Sequence, residues 1–534
     1  VCLATVLAAC EGPPARAKAW HPDPEPTPPV AAAPAASAAA EPAVGALHIR
    51  LPAEPSGLDP LVEPDRETLD VVEDTVFETL VRREPGRIAP ALAESFRVAG
   101  GGNEIRFTLR PGVLFHDGRP FTAADARFSI EAARRGGARL RSVLADVVAV
   151  EVWSPRDLRV VLRRPDGYAL RALAEVPMLP AALYDTEAGR LAHVRAPVGT
   201  GPYRLERWSR GDRIVLERFK DYWGPTPAIA TVELVVIPDA ARALAQARAA
   251  KLDVLPALIP AHWPVPADVA AAFAPLELVP PRFVAGLMNL RRGPFADVRV
   301  REAAALLVDR ARLARDVWRG LARAGSGPVW PGGPGDAEGP EPPLFDPLRA
   351  GLLLSGKKPK ILLIATGGPA RLDRAGGEAA EPPGSDTERD FVVAALRRGG
   401  FVVELRSVPP DDYFARLKAG DFDLALIDYR GRVDEDLAPL FGTNGARNYA
   451  GLASKAVDAA LADAAATWEP EARAPYVAAL GRAIAAEWPM IPLVVPTPRG
   501  LVARRLGHVV VRDGWIAIRE LTWTEKVTGA GAPP

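Results

Sequence analysis

Between residues 361 and 430 the chain alternates two hydrophobic periods, and that alternation admits few folds. ILLIAT (361–366) is a nearly all-apolar run, as a strand buried on both faces requires. ERDFVVAALRR (388–398) follows with helical spacing and stops at Gly399-Gly400, good C-cap residues. FVVELRSV (401–408), DDYFARLKAG (411–420) and DFDLALIDYR (421–430) continue the pattern. Strand–helix–strand–helix–strand in this order predicts a doubly wound α/β lobe with a parallel sheet.

A second mixed region precedes it. EIRFTLR (104–110) alternates with period two. VVAVEVW (147–153) and LRVVLRR (158–164) flank Ser154-Pro155-Arg156-Asp157, which predicts an antiparallel hairpin. TAADARFSIEAARR (122–135) has Thr122 as an N-cap and helical spacing at Ala126, Ile130 and Ala133. TVELVVIPD (231–239), AARALAQARAA (240–250) and LDVLPAL (252–258) form a strand–helix–strand unit. Residues 453–488 read as one long Ala-rich helical stretch, followed by the apolar run IPLVV (491–495). Gly/Pro-rich loops fill most of 320–361 and 367–386. A chain of 534 residues exceeds what one core usually supports. Two α/β lobes suggest a clamshell that closes on a ligand.

The residue inventory excludes several functions. Lys+Arg and Asp+Glu balance at 66 each, so no net field draws the chain to nucleic acid. The two cysteines, Cys2 and Cys10, both lie in the first ten residues, which leaves the rest without a disulfide or thiolate metal site. The six histidines are scattered without HExxH spacing, so neither a metal nor another cofactor is expected. GxSxG and Walker A motifs are absent, and the SxxK match at Ser355–Lys358 lacks SDN or KTG companions, so the chain does not read as an enzyme. GTGPYR (199–204) fails as a phosphate-binding GxGxxG because Arg204 takes the last glycine's place and Pro202 breaks the helix start.

The first ten residues, VCLATVLAAC, are too short to span a bilayer and read as the end of a secretory signal. Leu7-Ala8-Ala9-Cys10 resembles the lipobox of bacterial lipoproteins, which implies cleavage before Cys10 and acylation of its thiol. The Pro/Ala-rich stretch 11–45 that follows reads as a tether with a fully extended reach of roughly 100 Å.

From about residue 46 to 525, seven blocks in order resemble the family-5 extracellular solute-binding proteins, the oligopeptide and dipeptide receptors of bacterial ABC importers. They are SGLDP (56–60) with VFETLVRRE (76–84); APALAESFRVAGGGNEIRFTLRPGVLFHDGRPFTAADARFSIEAARR (89–135); PVGTGPYRLERW (197–208); FKDYWG (219–224); Asn289 with PFADVRVREAAALLVDR (294–310); FDPLRAGLLL (345–354); and AEWPMIPLV (486–494). The resemblance implies a two-lobed α/β periplasmic-binding-protein fold, class II and of the large-ligand type. Its first lobe would take 46–285 with an extra subdomain at about 82–195, its second lobe 286–492, and 493–525 would return to the first.

The resemblance also implies a periplasmic or cell-surface protein, lipid-anchored and monomeric, without nucleic acid. It would capture a peptide or other small solute and work with ABC permease and ATPase subunits. An envelope sensor or docking protein without transport, or a receptor for a non-peptide ligand, would use the same architecture. In peptide-binding members an aspartate of the second lobe meets the ligand's ammonium group, and the matching stretch here is IDYRGRVDEDL (427–437). The candidates are therefore Asp434 and Asp436 as a cation anchor, Tyr429 as a cleft lining, and Arg432, like Arg430, as a carboxylate partner. The wording departs from the family, with Asp428-Tyr429 where Gly-Trp is common and VDED where PDPD is common.

Overall fold

The computed structural model describes residues 45–61, 65–84, 86–258, 263–278, 281–337, 340–341, 344–366, 370–371, 385–431, 434–512 and 514–524. Cys10 and the tether lie outside the described residues, as does Arg432.

The first lobe is built on a seven-stranded sheet. Leu47–Leu51 runs at its centre, parallel to Thr231–Val236 on one side and to Val254–Leu258 on the other. Arg213–Arg218 and Tyr203–Ser209 extend it antiparallel beyond Thr231–Val236. Arg499–Ala503 and Phe273–Glu277 complete the other edge. A four-stranded antiparallel sheet, in the order 93–99, 104–109, 157–162 and 147–152, forms a subdomain. The predicted hairpin is there, with Val152 opposite Leu158 and the Ser154 hydroxyl donating to Asp157 at 2.6 Å. The helix Ala123–Arg135 buries Ala126, Ile130 and Ala133. Asp125 accepts from both the Thr122 N–H at 3.0 Å and its hydroxyl at 2.7 Å, closing the first turn.

The second lobe's sheet runs Ala322–Ala324, Met490–Pro496, Arg282–Met288, Leu424–Arg430, Lys360–Ala365, Val402–Ser407, with Ala370–Arg371 also against Leu424–Arg430. Its doubly wound half follows the sequence pattern. Lys360–Ala365 pairs in parallel with both Val402–Ser407 and Leu424–Arg430. Leu424 and Leu426 share a core with Val392 and Leu396 of helix Ser385–Arg398. Ala425, Ile427 and Tyr429 point the other way, into a core with Tyr413 and Leu417 of helix Pro410–Ala419. The strand's period of two thus serves a helix on each face.

Three expectations need correcting. The second sheet is parallel only in part, because Arg282–Met288 pairs antiparallel with Leu424–Arg430 along its whole length and antiparallel with Met490–Pro496. The stretch 453–488 is two helices, Lys455–Ala465 and Pro470–Glu487, since Pro470 cannot donate into a continuing helix and starts a new one instead. The chain crosses between sheets after Glu277 and again between Pro496 and Arg499, a few residues from the boundaries read at 285 and 492. At the crossings the Leu278 N–H donates to the Pro498 carbonyl at 2.9 Å, so the two connecting segments lie side by side.

Several of the sequence blocks converge on one buried carboxyl. Glu78, of VFETL, accepts from Tyr222 at 2.8 Å and Trp223 at 2.9 Å of DYWG, and from Thr200 of GTGPY at 3.2 Å. The Arg519 guanidinium stands 3.8 Å away. Glycine is required beside it. A Cβ on Gly199 would lie 1.9 Å from the Val76 carbonyl oxygen, and one on Gly201 would lie 2.1 Å from that of Thr75. Burial pushes the Glu78 carboxyl up to about 7, against the partial opposition of its Trp and Tyr donors.

A folded value above the unfolded one means that the fold holds the proton more tightly. That stabilisation is complete below the ordinary value of 4.5 and is lost as pH rises through about 7. Asp70 and Glu388, also raised to about 7 by burial, act in the same direction. The expected outcome is a Tm that falls between about pH 5 and pH 8, with Glu78→Gln flattening the fall by the equivalent of about 1–3 kcal/mol. An unchanged slope in thermal melts of the variant would remove Glu78 from that dependence.

Candidate functional site

The stretch 427–437 leaves the C-terminal end of Leu424–Arg430, the end of the strands where doubly wound sheets place their ligands. Asp428 and Tyr429 are still on the strand and face opposite ways. Asp428 is buried between two arginines: it accepts from Arg282 at 2.7 Å and from both Nε and Nη2 of Arg430 at 3.1 and 3.0 Å. Arg430, a candidate carboxylate partner, is thereby engaged within the lobe. Tyr429 is buried, its ring stacked on Phe283 at 4.8 Å between centroids, with Phe441 at 6.5 Å. Burial raises its phenol far above the usual range. The structure thus places the Tyr429 ring in the aromatic core beneath the loop.

Asp434 takes a left-handed backbone, φ 61°. Its Oδ2 accepts from Arg473 Nη1 at 2.5 Å. Arg473, on helix Pro470–Glu487, is only 1% exposed, and each of its three nitrogens donates. Its Nε donates to the Thr467 carbonyl at 2.9 Å, and Nη2 donates to the carbonyls of Trp468 at 2.9 Å and Gly167 at 2.6 Å. The guanidinium lies 4.2 Å from the Tyr168 ring centroid. Gly167 and Tyr168 belong to the first lobe, so Arg473 joins the lobes while Asp434 neutralises and orients it. The Gly167 N–H returns a bond to the Ala465 carbonyl at 2.6 Å. A Cβ on Gly167 would lie 2.1 Å from the Thr467 oxygen, so this approach depends on glycine.

The other Asp434 oxygen, Oδ1, is buried without a hydrogen-bond partner. Beside it lies a cavity of about 10 Å³ lined by Tyr168, Trp330, Gly333, Glu435 and Val477 among others. That is room for about one water. Asp436 is half-buried and accepts from the Ala438 N–H at 2.9 Å. Burial raises its carboxyl to about 6, with Asp166 of the first lobe and Glu435 adding like charge and Arg164 of the first lobe opposing. Burial raises Asp166 too. Glu435 meets Arg447 at 3.4 Å. Among the described residues the seam therefore gathers Asp166, Asp434, Glu435 and Asp436 with Arg164, Arg447 and Arg473.

A wider cavity, about 490 Å³, opens elsewhere, within the first lobe. Asp59, Phe128, Arg135, Tyr184, Glu187 and Arg190 are among its lining residues. Among the described residues no group of three or more His, Cys, Asp or Glu is arranged to hold a metal ion, and no helix is long and apolar enough to cross a membrane.

Sequence reasoning missed Arg473, Gly167 and Tyr168. Gly167 carried one local signal, the Pro-Asp-Gly-Tyr turn at 165–168, but its partner lies 306 residues away. If this contact holds the lobes together, Gly167→Val keeps them apart. Small-angle scattering should then show a larger radius of gyration, with Tm near that of the parent chain. An unchanged scattering curve would mean that the seam closes without this contact.

The geometry can be set against known proteins. The family described as bacterial extracellular solute-binding proteins, family 5 Middle, matches residues 87–451. The chain is 26% identical over 508 residues to the probable di/tripeptide-binding protein 5 of Pseudomonas aeruginosa (strain UCBPP-PA14), covering 88% of this chain and 93% of that one. It is 30% identical over 284 residues to the glutathione-binding protein GsiB of Salmonella typhi, a match spanning 50% of this chain and 52% of that one. Its fold is similar to the crystal structure of NikA from Brucella suis in complex with Fe(III)-EDTA, with a TM-score of 0.77 at 22% identity over 90% of this chain and 100% of that one. With the family match spanning well over half of its length, the chain belongs to the family-5 bacterial extracellular solute-binding proteins.

Proposed function

We propose that this chain is the receptor of an ABC importer, that it captures short peptides or a similar solute bearing a cationic group between its lobes, and that it delivers them to a membrane permease. The observation that carries this reading is the acidic seam at the end of Leu424–Arg430, where Asp434 and Asp436 of one lobe meet Asp166 and Tyr168 of the other. The ligand class also draws on the peptide and glutathione ligands named for the relatives. No chemistry on the ligand is needed. The lobes open and close, and a ligand shifts that equilibrium only by its differential affinity for the closed form. In this reading Cys10 carries the lipid that holds the receptor outside the cytoplasm, and the receptor works as a monomer.

Within the site, Asp436 is the first candidate for an ammonium anchor, because among the described residues its carboxylate accepts one hydrogen bond, from the Ala438 N–H. Asp434 acts beside it and shares its charge with Arg473. Arg432, on the same loop, is the proposed carboxylate partner, and Tyr429 supports the loop from below. With the Asp436 carboxyl raised to about 6, the anchor is charged at neutral pH and lost in acid, so a cationic ligand should dissociate as pH falls through that value.

The complex of a structural neighbour with an iron chelate favours one second reading, a non-peptide ligand on the same scaffold. Native mass spectrometry of gently purified protein, denatured to release its cargo, distinguishes the two. A ladder of short-peptide masses supports the proposal, and a single non-peptide mass overturns its peptide part. Asp434→Asn with Asp436→Asn should then weaken the released cationic ligand about tenfold or more in calorimetry and lower Tm, because Arg473 loses its buried counter-charge, whereas Asp436→Asn alone should leave Tm near the parent value. Unchanged affinity would exclude both residues from the site.

A further inference from the structure

Among the described residues the helix Pro347–Leu354 is held from one side only. Ala350 and Leu354 are buried in the second-lobe core, beside Val300 and Ala304 of helix Val298–Leu306. On the outward side Leu348 is 85% exposed and Leu352, one turn on, is 80% exposed. Leu344 and Phe345, just before the helix, are 81% and 50% exposed. The remaining large exposed apolar side chains of the described residues are widely scattered in sequence, for example Trp153, Leu191 and Tyr476. Isolated exposed leucines are ordinary on a soluble protein, whereas four large ones within nine residues mark a contact surface.

The chemistry beside this patch identifies the occupant. The helix ends at Ser355 in a left-handed turn, and three lysines follow at once: Lys357, Lys358 and Lys360, all exposed. Lys357 stands 3.4 Å from Asp297. Lys358 and Lys360 have no ion pair among the described residues. The chain's positive charge is otherwise carried almost wholly by arginine, which makes a lysine cluster here distinctive. Protein interfaces enrich Arg and aromatic anchors at their cores and deplete Lys. Leucine and phenylalanine flanked by lysines are instead what a lipid–water interface selects. The apolar side chains enter the headgroup–acyl boundary, and the long lysine stems reach back to the phosphates.

We propose that this face of the second lobe docks reversibly on an anionic lipid surface, with Leu344, Phe345, Leu348 and Leu352 inserted and Lys357, Lys358 and Lys360 on the headgroups. The contact is independent of acylation at Cys10 and of ligand in the seam. It would hold the lobe against the bilayer rather than merely tethered near it.

The test is vesicle co-sedimentation of the full chain carrying Cys10→Ser, so that no acyl chain contributes. Binding to phosphatidylglycerol-rich vesicles should exceed binding to phosphatidylcholine vesicles about fivefold or more, and should fall by a similar factor at high salt. Leu348→Gln with Leu352→Gln should weaken it about fivefold or more, as should Lys357→Gln with Lys358→Gln and Lys360→Gln. The replaced side chains are exposed, so both variants should melt with the parent. A parent chain that does not sediment, or variants that bind as well as the parent, would overturn the proposal. A concentration-dependent dimer in the parent that the leucine variant abolishes would overturn it too, by assigning the face to a second copy.

Discussion

A guanidinium that is 1% exposed must be matched on every side, and Arg473 is matched by atoms from both lobes. Leaving such a charge buried and unpaired would cost several kcal/mol, so the geometry around it is strongly determined. Asp434 supplies the counter-charge, the Thr467 and Trp468 carbonyls fix the plane, and Gly167 and Tyr168 complete the shell from the first lobe. The ion pair itself lies within the second lobe. Parting the lobes exchanges the Gly167 carbonyl and the Tyr168 ring for water, while Asp434 stays with Arg473. A seam of this kind opens at modest net cost, because water replaces the bonds that are lost. An apolar seam of equal area would hold the lobes shut whether or not a ligand lay between them. Polar closure therefore suits a receptor that must bind and release.

The rest of the architecture keeps that seam in register. The first sheet is completed by a strand that arrives only after the whole second lobe has been made. Arg505, just beyond it, meets Asp253 at 2.5 Å, and Asp253 also accepts from the His48 N–H at 3.0 Å. Three distant parts of the chain are thus tied at one buried carboxylate. Its pKa stays below the usual carboxylate range despite burial, because His48 and Arg505 together outweigh desolvation. Glu78 has the opposite balance: hydroxyl and indole donors touch it, the Arg519 guanidinium stands off at 3.8 Å, and desolvation wins. Two buried acids of one lobe are set apart by how closely a guanidinium approaches, 2.5 Å at Asp253 and 3.8 Å at Glu78.

What the sequence disclosed followed the range of the interaction. Strand and helix periods were legible because side chains at i+2 or i+3 and i+4 decide them locally, as in Leu424–Arg430 and the helix Ser385–Arg398. The atoms that crowd the glycines of GTGPY, the carbonyls of Thr75 and Val76, were not legible. The split of the helix at Pro470 was available from proline's chemistry and was masked by the alanines around it. The antiparallel partner of Leu424–Arg430 was not legible, since RFVAGLM (282–288) carries no mark of its direction and lies far off in sequence. The loop 427–437 was located by its wording alone, and the wording gave no sign that Arg473 stands against Asp434. One arginine among 66 basic residues has no local feature that announces a buried, interlobe role.

The same reasoning bears on the loop's departure from family wording. By the family resemblance Asp428 sits where glycine is common, and a buried carboxylate there demands cations. Arg282 and Arg430 provide them from neighbouring strands at opposite register positions. Burial pulls the Arg282 guanidinium below its usual value, and Asp428 is the main group opposing that shift. The pair thus makes Arg430 a fixed part of the strand end, and in the proposed reading recognition falls to the residues farther along the loop. Asp434 is in turn held by Arg473, so the acid least committed to the protein's own cations is Asp436. Its environment combines partial burial, one backbone donor and a like charge from the opposite lobe, so that closing the lobes raises its proton affinity unless a cation arrives with them. A cationic group in the seam would relieve that repulsion, and the relief is a free-energy difference between open and closed forms of the kind that couples ligand binding to closure.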